Sequence, residues 1–150
     1  MSDPYWAALS RHLTAIARTT HAPRTFETMG ARADVDVRPH LYLALARIRD
    51  LQPVRISDLA EEIDTERSTA SRQVTELVDL GLVRRSSDPD DGRVVVLHVT
   101  DEGSAVMDRI YEAWYAELDE VLGRWSRRDR DRLLGLLERL DGALTTHFKA

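Results

Sequence analysis

The apolar pattern of this chain changes period at Gly81, and that switch limits the folds open to it. Up to Gly81 apolar residues recur every three or four positions, as along one face of a helix. Beyond it, Leu82-Val83-Arg84-Arg85 and Arg93-Val94-Val95-Val96-Leu97-His98-Val99 read as strands. Between them lies Asp88-Pro89-Asp90-Asp91-Gly92, and Asp-Gly between two strand-like runs is a strong hairpin signal. Helical spacing resumes at Thr100-Asp101-Glu102, a capping residue followed by acids that suit the positive end of a helix. One short hairpin in an otherwise helical chain predicts a mostly α fold with a small β-hairpin wing.

The remaining helices follow from stripes and punctuation. Asp3 caps a first helix with Pro4 at its first position and Trp6, Leu9, Leu13 and Ile16 on one face. His21-Ala22-Pro23 interrupts it, a short helical piece covers residues 24–33, and residues 34–38 connect. Leu41, Leu45 and Ile48 mark a helix from His40 to Asp50, stopped at Gln52-Pro53. Ser57 is expected to cap a short helix carrying Leu59, Ala60 and Ile63. After the turn Asp64-Thr65, a longer helix from Glu66 to Leu80 turns Ala70, Val74, Leu77 and Val78 inward. Near the C-terminus one stripe holds Val106, Ile110, Trp114, Leu118 and Val121. A last helix, capped by Ser126 with Asp129 three residues on, carries Leu133, Leu136, Leu137, Leu140 and Leu144, with Leu134 on a second edge.

Composition removes several function classes. The chain has 150 residues and no cysteine, so disulfides, thiolate metal sites, cysteine nucleophiles and thiol redox sensing are excluded. The five histidines, at 12, 21, 40, 98 and 147, show no metal-ligand spacing, and no metal or cofactor is expected. There is no glycine-rich phosphate loop and no defensible Ser/His/Asp order, so an enzyme is not expected. The N-terminus lacks a secretion pattern and no apolar run is long enough for a membrane, which reads as a soluble cytoplasmic, nucleoid-associated protein. The formal net charge of −5 argues against a wholly DNA-attracting surface but leaves room for a local basic face.

Helix, short helix, tight turn, longer helix, hairpin is the order of a winged helix-turn-helix. In that arrangement the longer helix enters a major groove. Its outward residues would be Ser68, Thr69, Ser71, Arg72, Gln73 and Glu76. Arg72 suits a forked contact with guanine and Gln73 with adenine, while Ser57 and Thr65 sit near helix N-termini that can receive phosphate. Arg93 would stand at the wing tip, facing a minor groove, with Asp88 and Asp91 bracing it. Each assignment has a plain alternative: the helix face is merely solvated, Arg93 merely pairs with Asp91 or Asp88, and Arg84 and Arg85 are solvated strand residues rather than phosphate contacts. Over residues 65–100, Arg67, Arg72, Arg84, Arg85 and Arg93 face the acids Glu66, Glu76, Asp79, Asp88, Asp90 and Asp91. This acidic balance motivates a second reading, a winged-helix protein-interaction module that does not bind DNA.

From Leu41 to Gly103 the chain resembles the MarR family of bacterial and archaeal transcription regulators. The resemblance rests on Ile56-Ser57-Asp58-Leu59-Ala60, Ser71-Arg72-Gln73-Val74-Thr75-Glu76-Leu77 and Gly81-Leu82-Val83-Arg84-Arg85. It is most specific at Asp88-Pro89-Asp90-Asp91-Gly92-Arg93 with Val99-Thr100-Asp101-Glu102-Gly103, the family's Asp-x-Arg wing closed by Leu-Thr-x-x-Gly. Val99 here replaces the usual Leu, and Gly92 a residue that is often basic. The resemblance implies a winged domain over 39–100, flanked by dimerisation helices at 1–33 and 101–150 that together form one intertwined domain. It also implies a homodimer, most often a repressor, on palindromic double-stranded DNA. The uncovered leucine stripes favour association independently. Many relatives release DNA when a small aromatic or phenolic acid, or another lipophilic effector, enters a crevice beside the dimer helices. Candidates for lining it are His12, Arg18, Arg38, His40, Tyr42, Tyr111, Trp114 and Tyr115, although Tyr111 and Trp114 also suit core or dimer packing and Tyr42 a helix junction.

Overall fold

The computed structural model describes residues 3–88 and 91–149, with the backbone alone for Lys149. Pro89 and Asp90, part of the expected turn, lie outside the described residues. The elements run α1 (Pro4–Thr20), α2 (Pro23–Ala33), α3 (Pro39–Leu51), β1 (Val54–Arg55), α4 (Ile56–Glu62), α5 (Arg67–Asp79), β2 (Val83–Ser87), β3 (Val95–Val99), α6 (Asp101–Leu122) and α7 (Arg127–Lys149). The fold is mostly helical, with one small antiparallel sheet of order β1-β3-β2. No described helix is long and apolar enough to cross a membrane.

The chain divides into two compact units, Met1–Ala113 and Trp114–Ala150. In the first, proline opens α1, α2 and α3 at a first-turn position, where its missing N–H costs nothing. Asp3 caps α1 by accepting the Tyr5 N–H at 3.0 Å. The core is Leu41, Leu45 and Ile48 of α3, Leu59 of α4, Val74 and Leu77 of α5 and Leu97 of β3, all without solvent exposure. Each such side chain contributes about 1.5–3 kcal/mol by leaving water. Gly103, Val106, Met107 and Ile110 of the first part of α6 are also buried in the chain.

Three local expectations need correction. Ser57 does not cap α4: extended Arg55 is the cap residue, and the Ser57 hydroxyl donates to Asp58 Oδ1 at 2.9 Å. Strand β1 was not foreseen, because two residues are too short to display a period; it pairs Val54 with Leu97 and Arg55 with Val96. The hairpin is wider than a two-residue Asp-Gly turn, since β3 begins at Val95 and not at Arg93. The Asp88 N–H donates to the Val94 carbonyl at 2.8 Å and closes the loop, while the Val94 N–H donates to the Asp91 carbonyl at 2.9 Å. Gly92 is not in the left-handed region that a tight hairpin turn needs; among the described glycines only Gly81 is, at φ +72.

In the second unit, Ser126 caps α7 as expected: its Oγ accepts the Asp129 N–H at 3.1 Å and donates to Asp129 Oδ2 at 2.6 Å. Helix α7 buries none of its described residues, and α1 in the first unit buries none either.

Candidate nucleic-acid interface

Helix α5 is held by Ala70, Val74 and Leu77, each fully buried, so its opposite face must look outward. That face carries Ser68, Arg72, Thr75 and Asp79, all exposed, with Thr69 and Ser71 half-buried at its margins. The small hydroxyls leave Arg72 standing above its surroundings, and its Nη2 donates to Thr69 Oγ1 at 3.2 Å. Beside the ridge is a concavity of about 380 Å³ lined by Arg38, Ser71, Arg72, Thr75, Glu76 and Asp79.

Gln73 does not join the ridge. Its side-chain Nε2 donates to the His40 carbonyl at 3.2 Å and its Oε1 is buried, so without DNA the group expected to read a base is engaged with the start of α3. Glu76 likewise turns toward α3, pairing with Arg38 and lying 3.5 Å from His40 Nε2. Ser57 and Thr65 are half-buried and line a surface cleft of about 650 Å³ with Ala60, Glu61, Asp64, Glu66 and Arg67. Arg67 is the cation of that mixed lining, at the first position of α5.

Arg84 and Arg85 are neighbours in sequence but leave β2 on opposite faces, as strand geometry requires. Arg84 stands across from His98. Arg85 reaches the ridge, its Nη2 donating to Thr75 Oγ1 at 3.0 Å. On the wing, the two aspartates work separately. Asp91 Oδ1 accepts the Arg93 backbone N–H at 3.0 Å, which shapes the tip. Asp88 binds a different arginine, Arg55 of β1, at 3.0 Å. Arg93's guanidinium has no ion pair among the described residues. The acids counted against DNA are thus partly neutralised from outside the 65–100 segment: Glu76 by Arg38 and Asp88 by Arg55.

Comparison with known proteins bears on what this arrangement is. A model of the MarR family matches residues 39–95. The chain is 31% identical over 102 residues to the uncharacterized HTH-type transcriptional regulator YxaD of Bacillus subtilis, covering 68% of this chain and 71% of that one. It is 35% identical over 104 residues to a putative transcriptional regulatory protein for the hcr operon of Thauera aromatica, covering 69% of this chain and 63% of that one. In structure it superposes on a MarR family protein from Bacillus stearothermophilus with a TM-score of 0.84 at 20% identity, over 97% of this chain and 99% of the other. The chain belongs to the MarR family. Its members are transcription regulators, so membership assigns this chain to regulation and not to catalysis.

The geometry explains the closing part of the MarR wing signature in this chain. Thr100 Oγ1 donates to the Gly81 carbonyl at 2.7 Å and accepts the Gly103 N–H at 3.0 Å, capping α6 and fastening it to the end of α5. Gly103 lies so close to the Leu82 carbonyl oxygen that a Cβ there would overlap it. Val99, in place of the family's usual Leu, is half-buried, and its N–H donates to Gln52 Oε1 at 2.9 Å.

The residues expected to line an effector crevice fall in both compact units of the chain. His12 and Arg18 are exposed on α1, and Arg38 is taken by Glu76. Tyr42 is core, 2% exposed, with its ring edge-on to Phe26 at 5.7 Å. Burial, and then the Asp36 carboxylate, raise its phenol above the ordinary tyrosine value. Tyr111 lies under the Arg49 guanidinium, 5.8 Å from its ring centre. Trp114, half-buried, and Tyr115, exposed, belong to the second unit. His40 lines a largely apolar cavity of about 400 Å³, with His21, Pro23, Phe26, Pro39 and Leu43.

Sequence reasoning missed Arg55 and Thr75. Thr75 was findable, since Ser68, Arg72, Thr75 and Asp79 repeat at helical spacing opposite the buried stripe. For Arg55 no local signal exists, because its partner is 33 residues away.

Proposed function

We propose that this chain is a homodimeric, sequence-specific DNA-binding repressor that reads a palindromic operator and is released by a small aromatic or phenolic ligand. The observation that carries the reading is the outward ridge of α5, with Arg72 at its centre and Arg85 fastened to its edge, beside a wing whose Arg93 has no ion-pair partner among the described residues. Arg72 would fork onto a base edge, Arg85 and Arg84 onto phosphates, and Arg93 into the adjoining minor groove. The Thauera aromatica relative, named for regulation of an operon, supports regulation of neighbouring genes.

A second copy of the chain is the occupant suited to the open apolar faces. Trp6 and Ile16 of α1 are 63% and 58% exposed, and Leu134, Leu136 and Leu137 of α7 are 58%, 50% and 46% exposed. Two-fold pairing would present two recognition helices to successive turns of one duplex face. The 400 Å³ cavity lies within the usual range for small-ligand sites of about 300–1,000 Å³, and its lining suits a flat apolar ring.

The test is fluorescence anisotropy with the DNA upstream of the chain's own coding region. Tight binding that weakens steeply with salt is expected, with Arg72→Ala and Arg93→Ala each weakening it by about 1–3 kcal/mol. Binding indifferent to salt, or unchanged in both variants, would instead favour a protein-interaction module.

A further inference from the structure

The cations of the second unit are unevenly placed. Between residues 124 and 132 stand five arginines and two aspartates, in a chain whose formal net charge is −5. Both aspartates are engaged locally, Asp129 by the Ser126 hydroxyl at 2.6 Å and Asp131 by Arg127 at 3.7 Å. Arg130 lies 3.9 Å from Asp119 of α6 and so marks the side of α7 turned to that helix. At about 100° per residue, Arg128, Arg132 and Arg139 stand roughly half a turn away from Arg130 and within about 40° of one another. All three are exposed, and none has an ion pair among the described residues. Leu133, Leu137 and Leu144 fall on the Arg130 side, so α7 carries an apolar face and, away from it, a basic stripe. Arg128, at the second position of α7, adds its charge to the positive end of the helix.

Two glycines share the stripe, Gly135 three residues after Arg132 and Gly142 three after Arg139. A Cβ at either would meet nothing within 4 Å, so no packing inside the chain asks for glycine there. Each nevertheless weakens the helix relative to alanine. Bare backbone beside the arginines admits the close approach of an outside partner. The stripe offers that partner no apolar anchor of the kind on which protein interfaces depend. Phosphates ask for less: placed cations, best of all arginines, and no particular sequence. We propose, on the DNA-binding reading above, that the α7 stripe holds the phosphate backbone of a second duplex, so that a dimer on its operator bridges to another DNA segment. The stripe belongs to the second unit, whereas the ridge and wing committed to the operator belong to the first. Contact through phosphates alone is indifferent to sequence and fades steeply with salt.

The experiment uses the full-length protein, saturated with a donor-labelled duplex from upstream of its coding region. It is then titrated at low salt with an acceptor-labelled duplex of unrelated sequence. Energy transfer between the two duplexes is expected, falling as salt is raised. The triple variant Arg128→Gln/Arg132→Gln/Arg139→Gln is expected to weaken capture of the second duplex roughly ten-fold or more, with operator affinity and dimer sedimentation unchanged. Gly135→Ala/Gly142→Ala is expected to raise the urea midpoint and yet weaken the same capture, a combination that a purely structural role would not give. Operator binding without energy transfer overturns the bridge alone, as does transfer undiminished in the arginine variant. Tighter binding of an operator with long flanks, lost in that variant, would assign the stripe to the same duplex and overturn bridging. Capture of poly-glutamate as tight as that of DNA would overturn it in favour of an acidic protein. Absence of operator binding overturns the DNA-binding reading, and the bridge with it.

Discussion

Thr100 fastens three elements with one hydroxyl and one backbone unit. Its hydroxyl bridges the Gly81 carbonyl and the Gly103 N–H, and its own N–H donates to the Leu82 carbonyl at 3.0 Å. Thr100→Val keeps the shape and removes the hydroxyl, so a loss of about 1–2 kcal/mol is expected, read as a lower urea midpoint. Gly103→Ala is expected to cost about 2–3 kcal/mol by the same measurement, because the new methyl meets a backbone carbonyl and not a flexible side chain. Tyr42 adds a pH dependence. Its phenol ionises at higher pH in the folded chain than in the unfolded one. Its contribution is therefore whole below about pH 10 and is lost as pH rises past the unfolded value toward the folded one. Urea midpoints measured from pH 8 upward are expected to fall less steeply above pH 10 in Tyr42→Phe than in the native chain.

At the scale of elements, α5 and the wing stand in fixed relation because strands β2 and β3 lead directly from one to the other. The Arg55–Asp88 pair pins the wing base to the sheet edge across β1. Arg55 is half-exposed, so the pair contributes no more than about 1 kcal/mol to stability. Its larger effect is on where Arg93 points: Arg55→Gln is expected to leave the unfolding midpoint nearly unchanged and to weaken operator binding several-fold. The helices were legible in the sequence because each is punctuated locally. Proline opens three of them, Asp3, Thr100 and Ser126 cap with their side chains, and Gly81 sits at φ +72 where one ends. The orientations of single side chains were legible only where helical spacing decided them. Ser68 and Arg72 face outward as their positions relative to Ala70, Val74 and Leu77 demand. Gln73 and Glu76 sit on the flank, where the start of α3 decides their direction, and nothing within α5 records that. For the effector candidates, residue type marked ligand-capable groups, while what each touches is set from elsewhere in the chain: Tyr42 is buried in the core and Arg38 is paired with Glu76.

Large apolar side chains stand open on helices of both units, Trp6 of α1 at 63% exposure and Leu134 of α7 at 58%, as faces suited to a second copy of the chain do. An unfolding midpoint that rises with protein concentration is therefore expected. Leu137→Glu on α7 is expected to shift the protein toward a monomer in analytical ultracentrifugation and to weaken operator binding more than any single ridge substitution. The formal charge of −5 makes binding depend on few cations. If Arg84 meets a phosphate in each half-site, Arg84→Ala is expected to flatten the plot of log affinity against log salt by about two, one for each protomer.

The bond from the Asp88 N–H to the Val94 carbonyl separates the loop tip from everything beneath it. Residues can be gained or lost above that closure without disturbing the paired strands below, whereas a change in length between Gly81 and Thr100 on the strands themselves would pull on the joint with α6. A residue inserted into this loop is thus expected to leave the unfolding midpoint nearly unchanged, whereas one inserted into β3 is expected to lower it.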